Sequence, residues 1–271
     1  MASTVWIPGC DGGTLVGSSQ APLPLEGQVA LVTGGSRGIG RAIARRLAAA
    51  GSDVAVNYHL NHDGADAACA EIRALGRRAV AIQADVASPE SQDELFDRVR
   101  TEFRRLDVLV SNAASGVVRP LLEATLKHWR FCAETNAFAL VMLAQRALDL
   151  MPRGGRIIAL SSLGAARALP GYGLVGASKA ALESLVRALA AELGGRGIRV
   201  NAVSAGIVDT DALAAFPARE ALLDGFAARS PLGRALTPDA IASAILLLCL
   251  PESDAISGST LVVDGGYSIM G

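Results

Sequence analysis

The stretch VALVTGGSRGIG, residues 29–40, holds the pattern that decides the fold of this chain. Its first part is a short apolar run, and its second part contains four glycines within seven residues. An Ala-rich segment follows, in which apolar residues recur at helical spacing from Ile39 to Ala50. This order predicts a buried strand, a tight glycine turn and a helix.

The same alternation of short apolar runs and helix-like segments continues along the chain. The runs are apolar on both faces, which is typical of buried parallel strands. Seven strands are predicted, at Val29–Thr33, Val54–Tyr58, Ala79–Gln83, Val108–Ser111, Arg156–Ser161, Arg199–Val203 and Leu261–Val263. Helices are predicted at Ile39–Ala50, Ala65–Leu75, Gln92–Phe103, Val175–Leu193 and, as one long helix, somewhere within Glu123–Met151.

No Pro/Gly/Ser-rich linker divides these elements, so they predict a single α/β domain. Its expected architecture is the Rossmann type, a doubly wound, seven-stranded parallel sheet with helices on both faces. We assign residues 27–271 to this domain. Residues 1–26, with several Gly, Pro and Ser, are expected to form a flexible N-terminal extension.

The composition favours a large core and a small-molecule function. Hydrophobic residues make up 51% of the chain and charged residues 19%, and the formal net charge is -1. The basic excess that favours nucleic acid or an anionic membrane is therefore lacking. The apolar run Ala240–Leu250 is too short to cross a bilayer, and residues 1–26 contain no Lys or Arg, unlike a signal peptide. We expect a soluble, cytoplasmic protein.

Neither the cysteines nor the histidines have the spacing of a metal site. The four cysteines are scattered, which favours buried or idle thiols in a reducing compartment. No histidine has a metal-ligand partner at helical spacing, so we expect no metal and no catalytic histidine. These residues are Cys10, Cys69, Cys132, Cys249, His59, His62 and His128.

The glycine turn predicts a site for a dinucleotide cofactor. Glycines permit a tight turn and a close approach of the backbone to a pyrophosphate. The N-terminus of the following helix adds free N–H groups and a favourable dipole. The candidate contacts are Gly34, Ser36, Gly38 and Ile39.

The residues expected near the adenosine ribose favour NADPH over NADH. An NAD enzyme usually places an acidic residue against the ribose 2′-hydroxyl, about 20 residues beyond the glycines. Here the second strand ends in Asn57 and Tyr58 without a carboxylate, and Arg37 stands inside the glycine loop. Because a guanidinium attracts a 2′-phosphate, NADPH is the expected cofactor, with NADH as the alternative.

Two further groups of candidate cofactor contacts end the third and fourth predicted strands. Ligands of such sheets bind outside the carboxyl ends of the strands, so these residues share one edge. Asp85 and Val86 are candidates for holding the adenine. Asn112, Ala113 and Ala114 supply small side chains where a ligand must come close.

Together these motifs resemble the short-chain dehydrogenase/reductase family over about residues 27–267. The resemblance implies a Rossmann fold, a nicotinamide cofactor, a homotetramer and catalysis by a Ser–Tyr–Lys constellation. The residues that carry it are the glycine loop at 33–40, Asp85-Val86, Asn112-Ala113-Ala114, Asn136, Ser161-Ser162, Lys179 and the closing Asp264-Gly265-Gly266.

The position of the catalytic tyrosine departs from the common family pattern. Family members generally carry Tyr four residues before the active-site Lys, where this chain has Val175. Tyr172 stands seven residues before Lys179 instead, an interval similar to that of enoyl-acyl-carrier-protein reductases. Several segments resemble the NADPH-dependent enoyl-acyl-carrier-protein reductase III, at residues 112–120, 161–164, 175–183 and 209–213.

The Pro and Gly residues around Tyr172 predict that it lies at or before the start of a helix. An enoyl reductase delivers hydride to a β-carbon, and negative charge then develops on the thioester oxygen. We expect Tyr172 to donate a hydrogen bond to that oxygen. The resemblance implies that Lys179 holds the nicotinamide ribose hydroxyls and polarises the tyrosine.

Two other residues are expected to support Tyr172 and Lys179. Ser162 lies thirteen residues before Val175, where the family carries its active-site serine, and is expected to order Tyr172 or the substrate carbonyl. Asn136 is expected to bind backbone or a water near Lys179, in a lesser role.

The segment after the sixth strand is expected to complete the site. Ile207 and Thr210 are candidates for contact with the nicotinamide carboxamide. The Ala-rich segment Asp211–Ser230, with Phe216 and Phe226, suits a mobile lid over an apolar acyl group. The same residues would serve equally well as ordinary helix core.

Three functions stay open at this point. The first is NADPH-dependent reduction of a trans-2-enoyl thioester, on acyl carrier protein or coenzyme A, in fatty-acid or related acyl biosynthesis. The second is carbonyl (3-oxoacyl) or imine reduction on a specialised-metabolite intermediate, since this fold hosts many chemistries. The third is a non-catalytic, NADP-binding regulator.

Overall fold

A computed structural model describes residues 22–210, 213 and 219–270. Its centre is a seven-stranded, all-parallel sheet in the order β3-β2-β1-β4-β5-β6-β7. The predicted Rossmann architecture is therefore confirmed, as a single domain. The strands are β1 (Val29–Val32), β2 (Asp53–Tyr58), β3 (Ala79–Gln83), β4 (Val108–Ser111), β5 (Arg156–Ser162), β6 (Arg199–Ala205) and β7 (Thr260–Val263).

Helices connect the strands and cover both faces of the sheet. Several begin at side-chain caps: Ser88 and Thr237 each accept a hydrogen bond from a backbone N–H of the first turn, and a proline follows each of them. The α-helices are α1 (Gly38–Ala49), α2 (His62–Ala74), α3 (Pro89–Phe103), α4 (Leu126–Ala133), α5 (Ala139–Ala147), α6 (Gly173–Leu193), α7 (Arg219–Arg229) and α8 (Pro238–Cys249).

The sheet divides the hydrophobic core into two parts. Alternate residues of β1 point to opposite faces: Val32 packs with α1, α2 and α8, whereas Leu31 packs with α3, α5 and α6. Both side chains are fully buried. Burial on both faces explains why the strands read as continuous apolar runs in the sequence.

The strand order places a topological switch point beside the glycine turn. Strand β1 pairs with β2 on one side and with β4 on the other, because the chain returns past β1 after completing β3. The carboxyl ends of β1 and β4 consequently meet at one edge of the sheet. Ligands of open α/β sheets bind at this kind of crevice.

The predicted long helix within Glu123–Met151 forms with an interruption that the helical periodicity of the sequence does not indicate. Helices α4 and α5 are joined without a break in helical structure by a π-helical turn, Glu134–Phe138. Such turns insert a residue into the helix and are frequent at functional sites. The turn contains Asn136, whose side chain faces inward.

Residues 22–26 pack against the domain, whereas residues 1–21 lie outside the described part of the chain. Leu25 is fully buried in the core, and its N–H donates to the carbonyl of Ala50. Glu26 forms an ion pair with Arg77. The described cysteines, Cys69, Cys132 and Cys249, are buried free thiols, as predicted, while Cys10 lies outside the described residues. No described helix is long and apolar enough to span a membrane.

Candidate active site

The glycine loop between β1 and α1 has the geometry of a close-approach turn. Gly34 has a φ of +62°, and a Cβ at this position would lie 3.0 Å from the Cα of Ala113. A Cβ at Gly40 would lie 2.2 Å from the carbonyl oxygen of Gly34. Only glycine allows both approaches, so the loop packs closely against the end of β4 and against the first turn of α1.

Helix α1 begins at this loop with its N-terminal N–H groups uncapped by a side chain. Its N-cap residue is Arg37, which is exposed and extended at φ -156°. An uncapped helix N-terminus beside a guanidinium suits an anionic group. Ser36 is buried behind the loop, and the Thr210 side chain lies within 3.6 Å of a Cβ placed at Gly38. The structure thus brings Thr210 to the glycine loop.

The end of β2 holds the glycine loop in place through the side chain of Asn57. Asn57 is 1% exposed, and its Oδ1 accepts from the Gly34 N–H at 3.3 Å. Its Nδ2 donates to the carbonyls of Ile82 and Ala84. The polar atoms of Asn57 are therefore used within the protein, where they fix the loop against β3, and direct contact with a cofactor stays a prediction.

Tyr58 also has an internal partner. Its ring packs in the core, and its hydroxyl lies 2.7 Å from Nδ1 of His62 in the first turn of α2. His62 is paired in turn with Asp66 at 3.3 Å. His62 was not predicted as a site residue, and because Tyr58 ends β2 while His62 begins α2, no helical spacing indicated this contact.

The ends of β3 and β4 are tied to the same edge. Thr33, which was not among the predicted residues, accepts hydrogen bonds on its Oγ1 from the N–H groups of Asn112 and Ala113, both at 3.0 Å. Asn112 Nδ2 donates to the Gly34 carbonyl at 3.2 Å. Asp85 Oδ1 accepts from the Ala87 N–H and so shapes the turn after β3. The Thr33 and Asn112 contacts tie the end of β4 to the glycine loop, and the parallel sheet places the end of β3 at the same edge.

Tyr172 lies at the N-cap of α6, as the surrounding Pro and Gly residues predicted. Its hydroxyl donates to Ser162 Oγ at 3.4 Å, at the end of β5. Gly164 lies beneath the ring, since a Cβ there would be 2.5 Å from two ring carbons. Burial raises the pKa of Tyr172, and the hydrogen bond with Ser162 opposes that rise. The phenol is therefore a neutral donor at pH 7.

Lys179 lies two turns into α6 and is buried, with 4% of its surface exposed. Its Nζ donates to the Leu160 carbonyl at 2.6 Å. Burial lowers the pKa of Lys179 to about 8, and the negative charge of Glu183 opposes this effect. An ammonium carries three donors, so two remain for a ligand.

Asn136, in the π-helical turn, joins the loop after β4 to α6. Its Oδ1 accepts from the Ser115 N–H at 2.8 Å, and its Nδ2 donates to the Ser115 carbonyl at 2.7 Å. Nδ2 also lies 3.0 Å from Ser178 Oγ, next to Lys179 in sequence. The predicted contact with backbone is thus present, and its target is the segment that follows Asn112-Ala113-Ala114.

Val175 fills the position where the family pattern places a tyrosine. It is buried, and its Cγ2 would lie 2.3 Å from a Cβ at Gly116. It packs in a small cluster with Cys132 and Leu174, against which Tyr172 is also packed. Position 175 is therefore an apolar wall beside Tyr172, and no hydroxyl is offered there.

The segment predicted as a lid is described only in part. Phe226 on α7 is buried, stacks on Tyr267 and lies against Gly206. Ile207 is half-buried at the core edge. Phe216 and residues 211, 212 and 214–218 lie outside the described residues. Among the described residues of this segment, Phe226 and Ser230 are buried and most of α7 is exposed, so Phe226 anchors the helix to the core.

The chain is similar to known reductases. The family model described as Enoyl-(Acyl carrier protein) reductase matches residues 34–268. The 1-cyclohexenylcarbonyl-CoA reductase of Streptomyces collinus is 43% identical over 90% of this chain and 88% of its own length. The hydroxynaphthalene reductase arp2 of Aspergillus fumigatus is 38% identical over 87% of this chain and 90% of its own length.

Solved structures extend the same relationship. A short-chain dehydrogenase from Burkholderia cenocepacia in complex with NADP superimposes with a TM-score of 0.85 and 42% identity, covering 90% of this chain and 99% of that protein. The family model matches residues 34–268, a region that includes most of the glycine loop as well as Ser162, Tyr172 and Lys179. The chain is an oxidoreductase that belongs to the short-chain dehydrogenase/reductase family.

Proposed function

We propose that this protein is an NADPH-dependent reductase of the conjugated carbon–carbon double bond in enoyl thioesters. The observation that carries the proposal is the pairing of Tyr172 with Ser162 at the helix start, while Val175 forms an apolar wall four residues before Lys179. The phenol therefore lies one turn farther from Lys179 than in the common family pattern.

The residues of the glycine loop and the strand ends fit a nicotinamide dinucleotide. The backbone of Gly34 and Gly38, with positive φ angles, and the uncapped start of α1 would hold the pyrophosphate. The exposed guanidinium of Arg37 favours a 2′-phosphate and hence NADPH, the ligand class with which the Burkholderia cenocepacia relative was solved. When bound, NADPH supplies the hydride.

The remaining predicted contacts complete the proposed cofactor site. Two donors of Lys179 are left for the ribose hydroxyls of the nicotinamide nucleoside. The other proposed contacts are Ser36, Ile39, Asn57 and Tyr58 around the phosphates and adenosine ribose, Asp85 and Val86 at the adenine, and Asn112, Ala113, Ala114, Ile207 and Thr210 along the nicotinamide half.

Tyr172 supplies the electrostatic part of the proposed reaction. Reduction at the β-carbon leaves negative charge on the thioester oxygen, as an enolate. A neutral phenol in a desolvated position stabilises that charge by donating a hydrogen bond, and burial keeps Tyr172 neutral. Ser162, 3.4 Å away, orients the hydroxyl. Asn136 keeps the Ser115 segment in place beside this site.

The proposed substrate is an acyl thioester carried by coenzyme A or acyl carrier protein, in fatty-acid or related acyl biosynthesis. Two observations support a thioester. The Streptomyces collinus relative is named for a cyclohexenylcarbonyl-CoA substrate, and the matching family model is described by an acyl-carrier-protein reductase. We also infer a cytoplasmic location, because the described cysteines are free thiols.

Replacing Tyr172 by Phe tests the role of the phenol. We expect kcat for an enoyl-CoA to fall by about 100- to 1,000-fold, the cost of removing one such donor, while NADPH still binds. Steady-state kinetics and NADPH fluorescence titration measure the two quantities. Tyr267→Phe is the matched control, since its ring contacts with Phe226 and Arg229 are retained. Unchanged turnover in Tyr172→Phe would show that another group stabilises the enolate.

The second candidate function is reduction of a carbonyl or an imine. The Aspergillus fumigatus relative, a hydroxynaphthalene reductase, favours this alternative. We expect turnover of an enoyl thioester and none of a β-keto thioester, a hydroxynaphthalene-type ketone or a cyclic imine, each mixed with enzyme and NADPH. Turnover confined to a ketone or imine would assign the second function. NADPH binding without any turnover would indicate a non-catalytic regulator.

A further inference from the structure

Strand β5 hydrogen-bonds Lys179 through Leu160 and Tyr172 through Ser162. The residue between them, Ser161, makes a third hydrogen bond to α6. Ser161, the residue preceding Ser162 in β5, is 3% exposed, and its Oγ donates to Glu183 Oε1 at 2.6 Å. Three consecutive strand residues thus hold three residues of α6 or its N-cap. Glu183 is the member of this set to which the proposed mechanism gives no role.

Glu183 follows Lys179 by four residues on α6, so the two side chains lie on one helix face. The ammonium of Lys179 is buried and bonded to the Leu160 carbonyl, which carries no charge. The negative charge of Glu183 raises the pKa of Lys179 against the effect of burial. The carboxylate therefore favours the charged form of the lysine.

Among the described residues, three charged side chains on elements packed near α6 pair with acidic residues elsewhere, whereas Arg187 follows Glu183 by four residues on α6 itself. Arg146 on α5 pairs with Asp93, and Arg156 and Arg199 pair with Asp254. Glu183 is the group whose charge acts on Lys179. The remaining charged or titratable groups on α6 and the helices packed around it include Lys127, His128, Arg130, Glu134, Arg187, Glu192 and Arg196.

We propose that Glu183 is a positioning residue for Lys179: its carboxylate keeps the buried ammonium charged and, through Ser161, fixes the lysine-bearing face of α6 against the end of β5. The inference rests on the proposed function in one respect, that Lys179 holds the ribose hydroxyls of NADPH. A neutral amine is a weaker donor than an ammonium, so loss of this charge weakens cofactor binding.

Glu183→Gln tests the proposal through the pH dependence of NADPH binding. In the parent protein the NADPH Kd should rise as the pH passes through about 8, where Lys179 loses its proton. Removing the carboxylate charge lowers the lysine pKa further. The rise of the NADPH Kd with pH, which we call the alkaline limb, should therefore move to lower pH by about 1 unit. Fluorescence titration of NADPH between about pH 6 and pH 10 measures it.

Glu192→Gln is the matched control, because it makes the same chemical change on the exposed surface of α6 and should leave the limb in place. Glu183→Asp, which keeps the charge, should restore most of the parent profile. Ser161→Ala removes the hydrogen bond and keeps the charge, so it should lower the melting temperature with little movement of the limb. Glu183→Ala provides a second neutral variant in case Glu183→Gln fails to fold.

Three outcomes would overturn the inference: a flat parent profile, a Glu183→Gln limb at the parent pH, or an equal shift in Glu192→Gln. Failure of the proposed function has a different signature. It would appear as absent enoyl thioester turnover in the parent protein, while the NADPH-binding limb still moved in Glu183→Gln. The binding titration contains no acyl substrate, so the two results are independent.

Discussion

At the scale of one residue, the proposed role of Lys179 requires a buried ammonium, and burying that charge lowers the stability of the fold. Its pKa of about 8 lies below the ordinary lysine value of 10.5, because burial disfavours the ammonium. Folding therefore carries a cost below pH 8, where the folded protein must bury a charge. Between pH 8 and 10.5 the unfolded chain binds more protons than the folded one, so this cost is relieved as the pH rises.

Lys179→Met should therefore stabilise the protein while abolishing the proposed reaction. At pH 7 we expect a gain of about 1 to 3 kcal/mol in the free energy of unfolding, since one pKa unit corresponds to about 1.4 kcal/mol. The gain should shrink above pH 8, as the parent lysine becomes neutral. Urea unfolding at pH 7 and pH 9 measures both, with the exposed Lys127→Met as control. A destabilised Lys179→Met would show that the Leu160 contact outweighs burial of the charge.

At the scale of elements, the turn after β5 sets the position of the tyrosine ring. The short 3-10 helix Leu163–Ala165 packs against the first turns of α6, and Gly164 lies under Tyr172. A Cβ at Gly176 would in turn lie 2.5 Å from the Gly164 carbonyl oxygen. Glycine at both positions lets the helix start approach the strand end closely enough for Tyr172 to reach Ser162.

Gly164→Ala should separate catalysis from cofactor binding. The added methyl would lie 2.5 Å from two ring carbons, so the ring of Tyr172 must move. Because a displacement near 1 Å can cost about 100-fold in rate, we expect kcat for the enoyl thioester to fall by that order. The NADPH Kd should stay unchanged. Gly195→Ala, where a Cβ meets open space, is the control. Equal losses in kcat and cofactor affinity would contradict a local effect on the ring.

At the scale of the whole molecule, one edge of the sheet carries apolar surface. β7 is an edge strand, and Val262 on it is 49% exposed. Leu247 on α8, Ile256 and Leu261 add to the same region, where they line a cavity of about 400 Å³. Natural proteins rarely leave an apolar sheet edge uncovered, so we propose that another copy of the chain covers it.

We expect the protein to be a homotetramer in solution, with Val262→Glu dissociating it into smaller species. A glutamate there buries a charge in the interface, which disfavours association. Size-exclusion chromatography with light scattering gives the mass of each form. Leu75→Glu, at a position 44% exposed at the end of α2, is the matched control. A monomeric parent protein, or a Val262→Glu variant of unchanged mass, would contradict the expectation.

The sequence by itself determined the architecture and the glycine loop. Strand and helix periodicity, turn glycines and caps are local properties, because each depends on residues within one or two turns of the chain. This is why seven strands were predictable and why the helix predicted at Ile39–Ala50 is observed at Gly38–Ala49. The placement of Tyr172 at a helix start likewise followed from Pro170 and Gly171.

The tertiary structure alone decided which side chains meet. The π-helical turn at Asn136 has no signal in local propensity, and it exists where an inward side chain binds Ser115. The sequence predicted Asn57 as a cofactor contact, whereas in the structure its side-chain oxygen and nitrogen hydrogen-bond to Gly34 and Ala84. The contact between Ser161 and Glu183 joins residues 22 apart in the chain. Such contacts arise when packing brings separate elements together, which periodicity along one segment does not encode.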